Sequence, residues 1–210
     1  MSGWIRMYEK SFVADKLRRW EKFLRNFRLP MWEEIPNLGL YMDQIIVLLT
    51  EYLDYLPPEI KEDKYITAST VNNYVRIKAM PEPVKKKYYR THIAYLIMIC
   101  TLKQTLNIAT LQKLIPVGIS EDEVRGIYNA YAERHRAMAE HFIEQVKIAA
   151  APILDENNPG DATKQTNDLI AASAISAGFA RLLSEKLLAL SENDDSATTK
   201  QTKEKTCKND

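Results

Sequence analysis

Apolar residues along this chain recur at steps of three and four far more often than they alternate, which predicts helices throughout. Ile5, Tyr8, Phe12, Trp20, Phe23 and Phe27 fall near helical spacing, with Arg and Lys opposite, so residues 4–27 predict an amphipathic helix. "LPMWEEIPNLG" (29–39) holds two prolines and a glycine and predicts a connector. A second helix is expected at about 40–55, stopped by Pro57 and Pro58. Thr67 or Ser69 can cap a short helix to about Lys78, which Pro81 and Pro83 keep from continuing. The next helix is expected from Arg90 or Thr91 to Leu106, with Asn107 as a left-handed stop, and "TLQKLI" predicts one more turn ending at Pro116.

From Ser120 the pattern changes. "SEDE" places a cap and acids in a first turn, matching the helix dipole. The helix is expected to run to about Ala150 and break near Pro152. Val124, Tyr128, Tyr131, His135, Met138, Phe142 and Gln145 make an a/d seam within it. "LDENNPGD" (154–161) predicts a turn, and a last helix at about 163–191 contains the small-residue run "AASAISAGFA". Residues 192–210 have almost no apolar content and predict a disordered tail.

Composition narrows the function. Hydrophobic residues are 46% and charged residues 27%, a soluble globular profile. No run approaches the roughly 20 apolar residues of a membrane span, and charges interrupt any signal-peptide core near the N-terminus, so a cytoplasmic protein is expected. Cys100 and Cys207 suggest neither a disulfide framework nor a zinc site. His92, His135 and His141 make no i, i+4 pair, so no metal is expected. The six glycines include no G-x-G pair, which excludes the dinucleotide fingerprint, and no phosphate-binding loop motif is present. No Ser/His/Asp arrangement, carboxylate pair or nucleophilic cysteine stands out, so no enzyme, catalytic residue or cofactor is expected.

The net charge of +1 is unevenly spread. Residues 64–103 hold eight bases and one acid, a local surplus of seven that suits a polyanion. On a helix over 67–78, Val71, Tyr74 and Val75 share a core side. Ser69, Asn72, Asn73 and Arg76 form a second stripe. Asn pairs bidentately with adenine and Arg with guanine, so that stripe is the candidate base-reading face. Lys78, Lys85, Lys86, Lys87 and Arg90 are the candidate phosphate contacts, with "VKKKYY" as a small β-wing. The blander reading of the lysine run is a solvated face.

Residues 66–115 resemble the winged helix-turn-helix of MerR-type regulators. "VNNYVRIKAMP" supplies Tyr74, Arg76 and Pro81 at the matching positions of that family's recognition helix, and Lys86 and Tyr88 match its wing. Lys78 stands where that family has a glycine, the wing has none, and "PPEIKEDKY" separates the two helices of the motif. The resemblance implies a dimer paired through the long helix that follows, here 120–150. His135 on the seam would set its register. The chain over roughly 29–115, through "MWEEIPNLGLYMDQIIVLL", is also similar to a bacterial family filed as a domain of unknown function.

The expected architecture is therefore mainly α, with a winged helix-turn-helix and a small β-wing. Residues 1–60 scaffold the module, 61–116 bind double-stranded DNA and 120–191 dimerise or sense, with room for an effector. The expected function is a sequence-specific transcriptional regulator reading a pseudo-palindrome. The competing expectation is a helical protein-interaction module whose basic patch meets an acidic partner without DNA.

Overall fold

The computed structural model describes residues 8–54 and 66–206, with side chains to residue 190. Its elements are α1 (Lys10–Asn26), a 3₁₀ turn (Trp32–Glu34), α2 (Met42–Tyr52), α3 (Ala68–Arg76), α4 (Arg90–Leu102), α5 (Ile108–Leu114), α6 (Glu121–Leu154) and α7 (Ala162–Thr206). The expected stop at Pro57 and Pro58 lies outside the described residues.

Helix α4 is the axis of the core. It is apolar on every side, and ten of its thirteen residues, His92 through Thr101, are buried. Around it pack α2 through Ile45 and Leu49, α3 through Val71 and Tyr74, α5 through Leu111 and the start of α6 through Val124, Tyr128 and Ala132. One contiguous apolar cluster thus runs from Leu29 to Ala132 and crosses the boundaries expected near 60 and 116. Trp32 joins it, whereas Trp20 is half-buried.

Polar links, two of them through tyrosines, also tie this core to α6. Tyr128 is fully buried, donates its hydroxyl hydrogen bond to the Pro30 carbonyl at 2.7 Å and lies beside the Trp32 ring. The Tyr131 hydroxyl meets Thr101 Oγ1 at 2.6 Å. Beyond Ala132, α6 leaves the cluster and packs on α1, where Trp20 meets Phe142 edge-on and Arg25 pairs with Glu144 at 2.6 Å.

The caps follow local chemistry. Thr67 Oγ1 accepts from the Thr70 amide at 3.2 Å, and Ser120 and Glu123 form the reciprocal box that "SEDE" predicts. Asn107 is not the left-handed stop expected of it. At φ −73° it caps α5, its Oδ1 accepting from the Thr110 amide at 2.9 Å, because an Asn side chain serves a helix start as readily as its backbone serves a stop. Helix α6 continues through Pro152 to Leu154, since a proline three residues from the end frees only the Ile148 carbonyl. Helix α7 extends past the expected limit at 191.

The expected β-wing is corrected. No strand forms among the described residues; "VKKKYY" makes isolated bridges, Val84 with Lys87 and Leu40 with Tyr88. With proline at 81 and 83 and a two-residue loop, the segment is too short to extend a ladder. Only part of the α6 seam faces outward as expected of a pairing face: Met138, Phe142 and Gln145 are exposed, and the earlier members are covered within the chain. Val124 and Tyr128 are in the core, and the His135 ring sits against Phe27 and Tyr131 of its own chain. Burial lowers the His135 pKa, favouring neutral imidazole in that setting.

An exposed pair gives the fold a pH signature. Arg28 holds both carboxylate oxygens of Glu34, one at 2.6 Å, and the Met31 amide donates to the same group at 2.7 Å. The Arg28 hydrogen bonds, with Met31, lower the Glu34 pKa to about 2. A depressed folded-state pKa stabilises above the unfolded value, and that stability is lost as pH falls through the folded one. The melting midpoint of the wild type should therefore fall on acidification from about pH 4.5 toward about 2. The fall should be shallower in Glu34→Gln, and an identical acid limb by calorimetry would contradict the assignment.

Candidate nucleic-acid interface

The polar stripe of α3 is where its pattern predicts. Val71 and Tyr74 are buried, while Ser69, Asn72 and Arg76 are exposed and Asn73 is half-buried. Arg76 donates to Asn73 Oδ1 at 2.7 Å, so the two side chains form one polar unit on the helix surface. Toward α5 the stripe borders a groove of about 590 Å³ lined by Ser69, Thr70, Asn73, Tyr74, Lys103 and Asn107. Lys103 lies over the Tyr74 ring, 6.0 Å from its centroid. Asn107 was missed in the sequence because its role as a cap and its place beside α3 both depend on the α4–α5 turn.

Helix α3 ends in a Schellman motif. The Lys78 amide donates to the Val75 carbonyl at 3.0 Å and the Ala79 amide to Tyr74 at 2.9 Å, closing over the buried Tyr74 and Ala79. Lys78 sits at φ 58°, the left-handed region that favours glycine. Its side chain is exposed at the helix end.

Eight residues on, the chain makes a second left-handed feature. Val84 and Lys87 exchange backbone hydrogen bonds at 3.0 Å, and the two residues between, Lys85 and Lys86, take φ 51° and 64°. That is the backbone of a type I′ turn, where Asn-Gly is the favoured pair. Lys85 and Lys86 are exposed at its tip. Lys87 is half-buried, its ammonium 5.3 Å from the Tyr41 ring centroid. The turn is fixed from below. Tyr88 is buried and exchanges backbone bonds with Leu40 at 2.8 and 2.9 Å. At Gly39 next to that bridge, an added Cβ would lie 2.8 Å from Lys87 Cδ. His92 completes the base, accepting the Tyr89 amide on Nδ1 at 3.0 Å while Nε2 meets the Glu82 carbonyl at 2.9 Å. Both bonds are served by the neutral Nε2–H tautomer.

Arg90 does not join the exposed lysines. Its Nε donates to the Ile35 carbonyl at 2.8 Å, its guanidinium reaches Glu33 at 3.4 Å, and it lies over the Trp32 ring. Its side chain is 15% exposed, so it clamps the 3₁₀ turn to α4 and is withheld from any phosphate. Glu33 is also held by Arg125.

The span of this clamped unit has a counterpart among known sequences. Residues 30–133 match the model of the DUF1836 domain, a domain of unknown function. The match begins and ends with the apolar cluster, which runs from Leu29 to Ala132. It also reaches beyond the expected limit near 115 to take in the first turns of α6. No curated protein and no solved structure gives a significant match. Nothing links the domain to MerR-type regulators.

The region that matches the DUF1836 model thus holds every residue of the candidate interface, from Ser69 to Lys87, and nearly all of the core cluster beneath it. At its border, α1 and α6 frame an apolar groove of about 760 Å³ lined by Trp20, Leu24, Leu102, Tyr131, His135 and Phe142. Among the described residues, no helix is long and apolar enough to cross a membrane.

Proposed function

We propose that the region matching the DUF1836 model binds double-stranded DNA, and that the protein acts as a regulator of transcription. Helix α3 would enter the major groove with Ser69, Asn72, Asn73 and Arg76 toward base edges. Lys78, Lys85 and Lys86 would meet phosphates, and Lys87 would contribute beside Tyr41. The turn would act as a minimal wing in a helix-turn-helix plan.

The observation that carries this reading is the pair of lysines at the tip of the I′ turn. Left-handed backbone costs a side-chain-bearing residue about 1–2 kcal/mol. Nothing in the turn geometry calls for lysine, and glycine or asparagine would fit better. Strain of this kind is retained where function requires the side chain. Here the side chain offers positive charge and no other chemistry.

The test is anisotropy of a labelled random duplex with the full chain at several salt concentrations. Affinity should fall linearly in log–log form, because bound phosphates release counterions. In Lys85→Gln/Lys86→Gln the slope should be shallower by about 2, roughly one unit for each phosphate no longer neutralised. Arg76→Ala should alter which duplexes are preferred and leave the slope nearly unchanged. Absence of binding at low salt would remove the DNA reading in favour of an acidic protein partner.

A further inference from the structure

Helix α7 is turned the wrong way for a helix that serves only its own chain. Through residue 190, the residues it covers against the rest of the molecule are mostly small or polar. Thr166 is buried, Ser184 and Leu188 are half-buried, and Ser173 lines the groove to α1. Six of its large apolar residues point elsewhere. Ile175, Phe179, Leu182, Leu183, Leu187 and Leu190 are each 55–68% exposed. At 3.6 residues per turn these six occupy an arc of about 140°, turned away from the Thr166–Ser184 side.

We infer that this face is where a second copy of the chain docks, with the two α7 helices antiparallel about a two-fold axis near Leu182 and Leu183. Four observations select that occupant. The stripe is self-complementary under such an axis. Leu182 and Leu183 flank the axis, each beside its own counterpart, and Ile175 meets Leu190 of the second copy. A further pair places Lys186 over Phe179, a favourable cation–aromatic contact. Six large side chains more than half exposed leave several hundred Å² of apolar surface. Monomers rarely show so large a patch, and it is on the order of the 800 Å² per partner of a stable dimer. Finally, residues 162–190 hold three bases and two acids, so two copies do not repel, and the polar side lacks the dense basic charge of a helix lying on a membrane.

This differs from pairing through 120–150, where the seam from Val124 to His135 is covered within the chain. It stands independently of the nucleic-acid reading, and it would supply the two-fold axis that a palindromic site needs.

The experiment is sedimentation equilibrium of the full chain at tens of micromolar. The wild type should sediment at twice 24.2 kDa. Leu182→Asp/Leu183→Asp should sediment at 24.2 kDa with unchanged helical circular dichroism, because both positions are exposed within one chain. Ile170→Asp, on the opposite side of α7, should remain dimeric. In a Cys207→Ser background, Leu182→Cys should cross-link to its own counterpart on mild oxidation and Ile175→Cys should not. A monomeric wild type, or a dimer that survives the Leu182/Leu183 pair, overturns the interface. Equal cross-linking at both cysteines overturns the antiparallel arrangement.

Discussion

The triple variant Lys78→Gly/Lys85→Asn/Lys86→Gly should be more stable than the wild type by about 2 kcal/mol and bind DNA more weakly. All three lysines hold left-handed backbone, at φ 58°, 51° and 64°. Relief of that conformation is worth about 1–2 kcal/mol per residue, less the roughly 0.5–1 kcal/mol that glycine gives back through the unfolded chain. Asparagine tolerates the left-handed region better than lysine does, and Asn-Gly is the pair the turn favours. The gain should appear as a higher urea midpoint at unchanged m-value. Binding should move the other way, because the same substitutions remove three charges from the candidate phosphate surface. A salt slope shallower by up to about 3 is expected if each meets a phosphate. Stability and binding changing in opposite directions would mark the lysines as held for their charge. A stabilised variant with unchanged binding would reduce them to ill-suited turn residues. Unchanged stability would mean that the left-handed backbone carries no strain.

Tyr128→Ala should leave the region matching the DUF1836 model largely unfolded at 37 °C, and Tyr128→Phe should cost about 1–3 kcal/mol. Tyr128 is fully buried where α6 meets the core, with its ring beside Trp32. Truncating a buried aromatic to alanine costs about 3–5 kcal/mol, a large part of the 5–15 kcal/mol that holds an ordinary domain together. Phenylalanine keeps the ring and removes one atom. That atom donates to the Pro30 carbonyl, which is itself buried and would be left without it. Burial of the hydroxyl raises the Tyr128 pKa far above its ordinary value, so it remains a donor at any working pH. Chemical denaturation of both variants measures this. A Tyr128→Phe midpoint equal to wild type would mean that the bond to Pro30 contributes nothing. The family match ends at 133, one residue past Ala132, the last α6 residue of that core cluster.

Most of the helical architecture is legible in the chain, for local reasons. Period and caps act within a few residues, so the starts of α3 at Thr67 and α6 at Ser120, the uniformly apolar α4 and the two faces of α3 follow directly from residue order. The local concentration of positive charge is equally plain, since charge adds without regard to fold. The tertiary structure decided what each of those charges faces. Arg90 and Lys87 lie in one basic run with Lys85 and Lys86. Packing turned Arg90 inward onto Glu33 and Trp32, laid Lys87 over Tyr41, and left the other two at a turn tip. It also decided which partner the seam of α6 meets. An a/d pattern states that a helix has an apolar face and is silent on whether a twin or its own chain covers it. Here the core and α1 cover the seam as far as His135, while six long apolar residues of α7, from Ile175 to Leu190, remain uncovered. Sequence order sets conformation through neighbours three and four residues away. The environment of a side chain is set by contacts between residues about a hundred or more positions apart, as between Tyr128 and Pro30 or Arg25 and Glu144, and those exist only once the chain has folded.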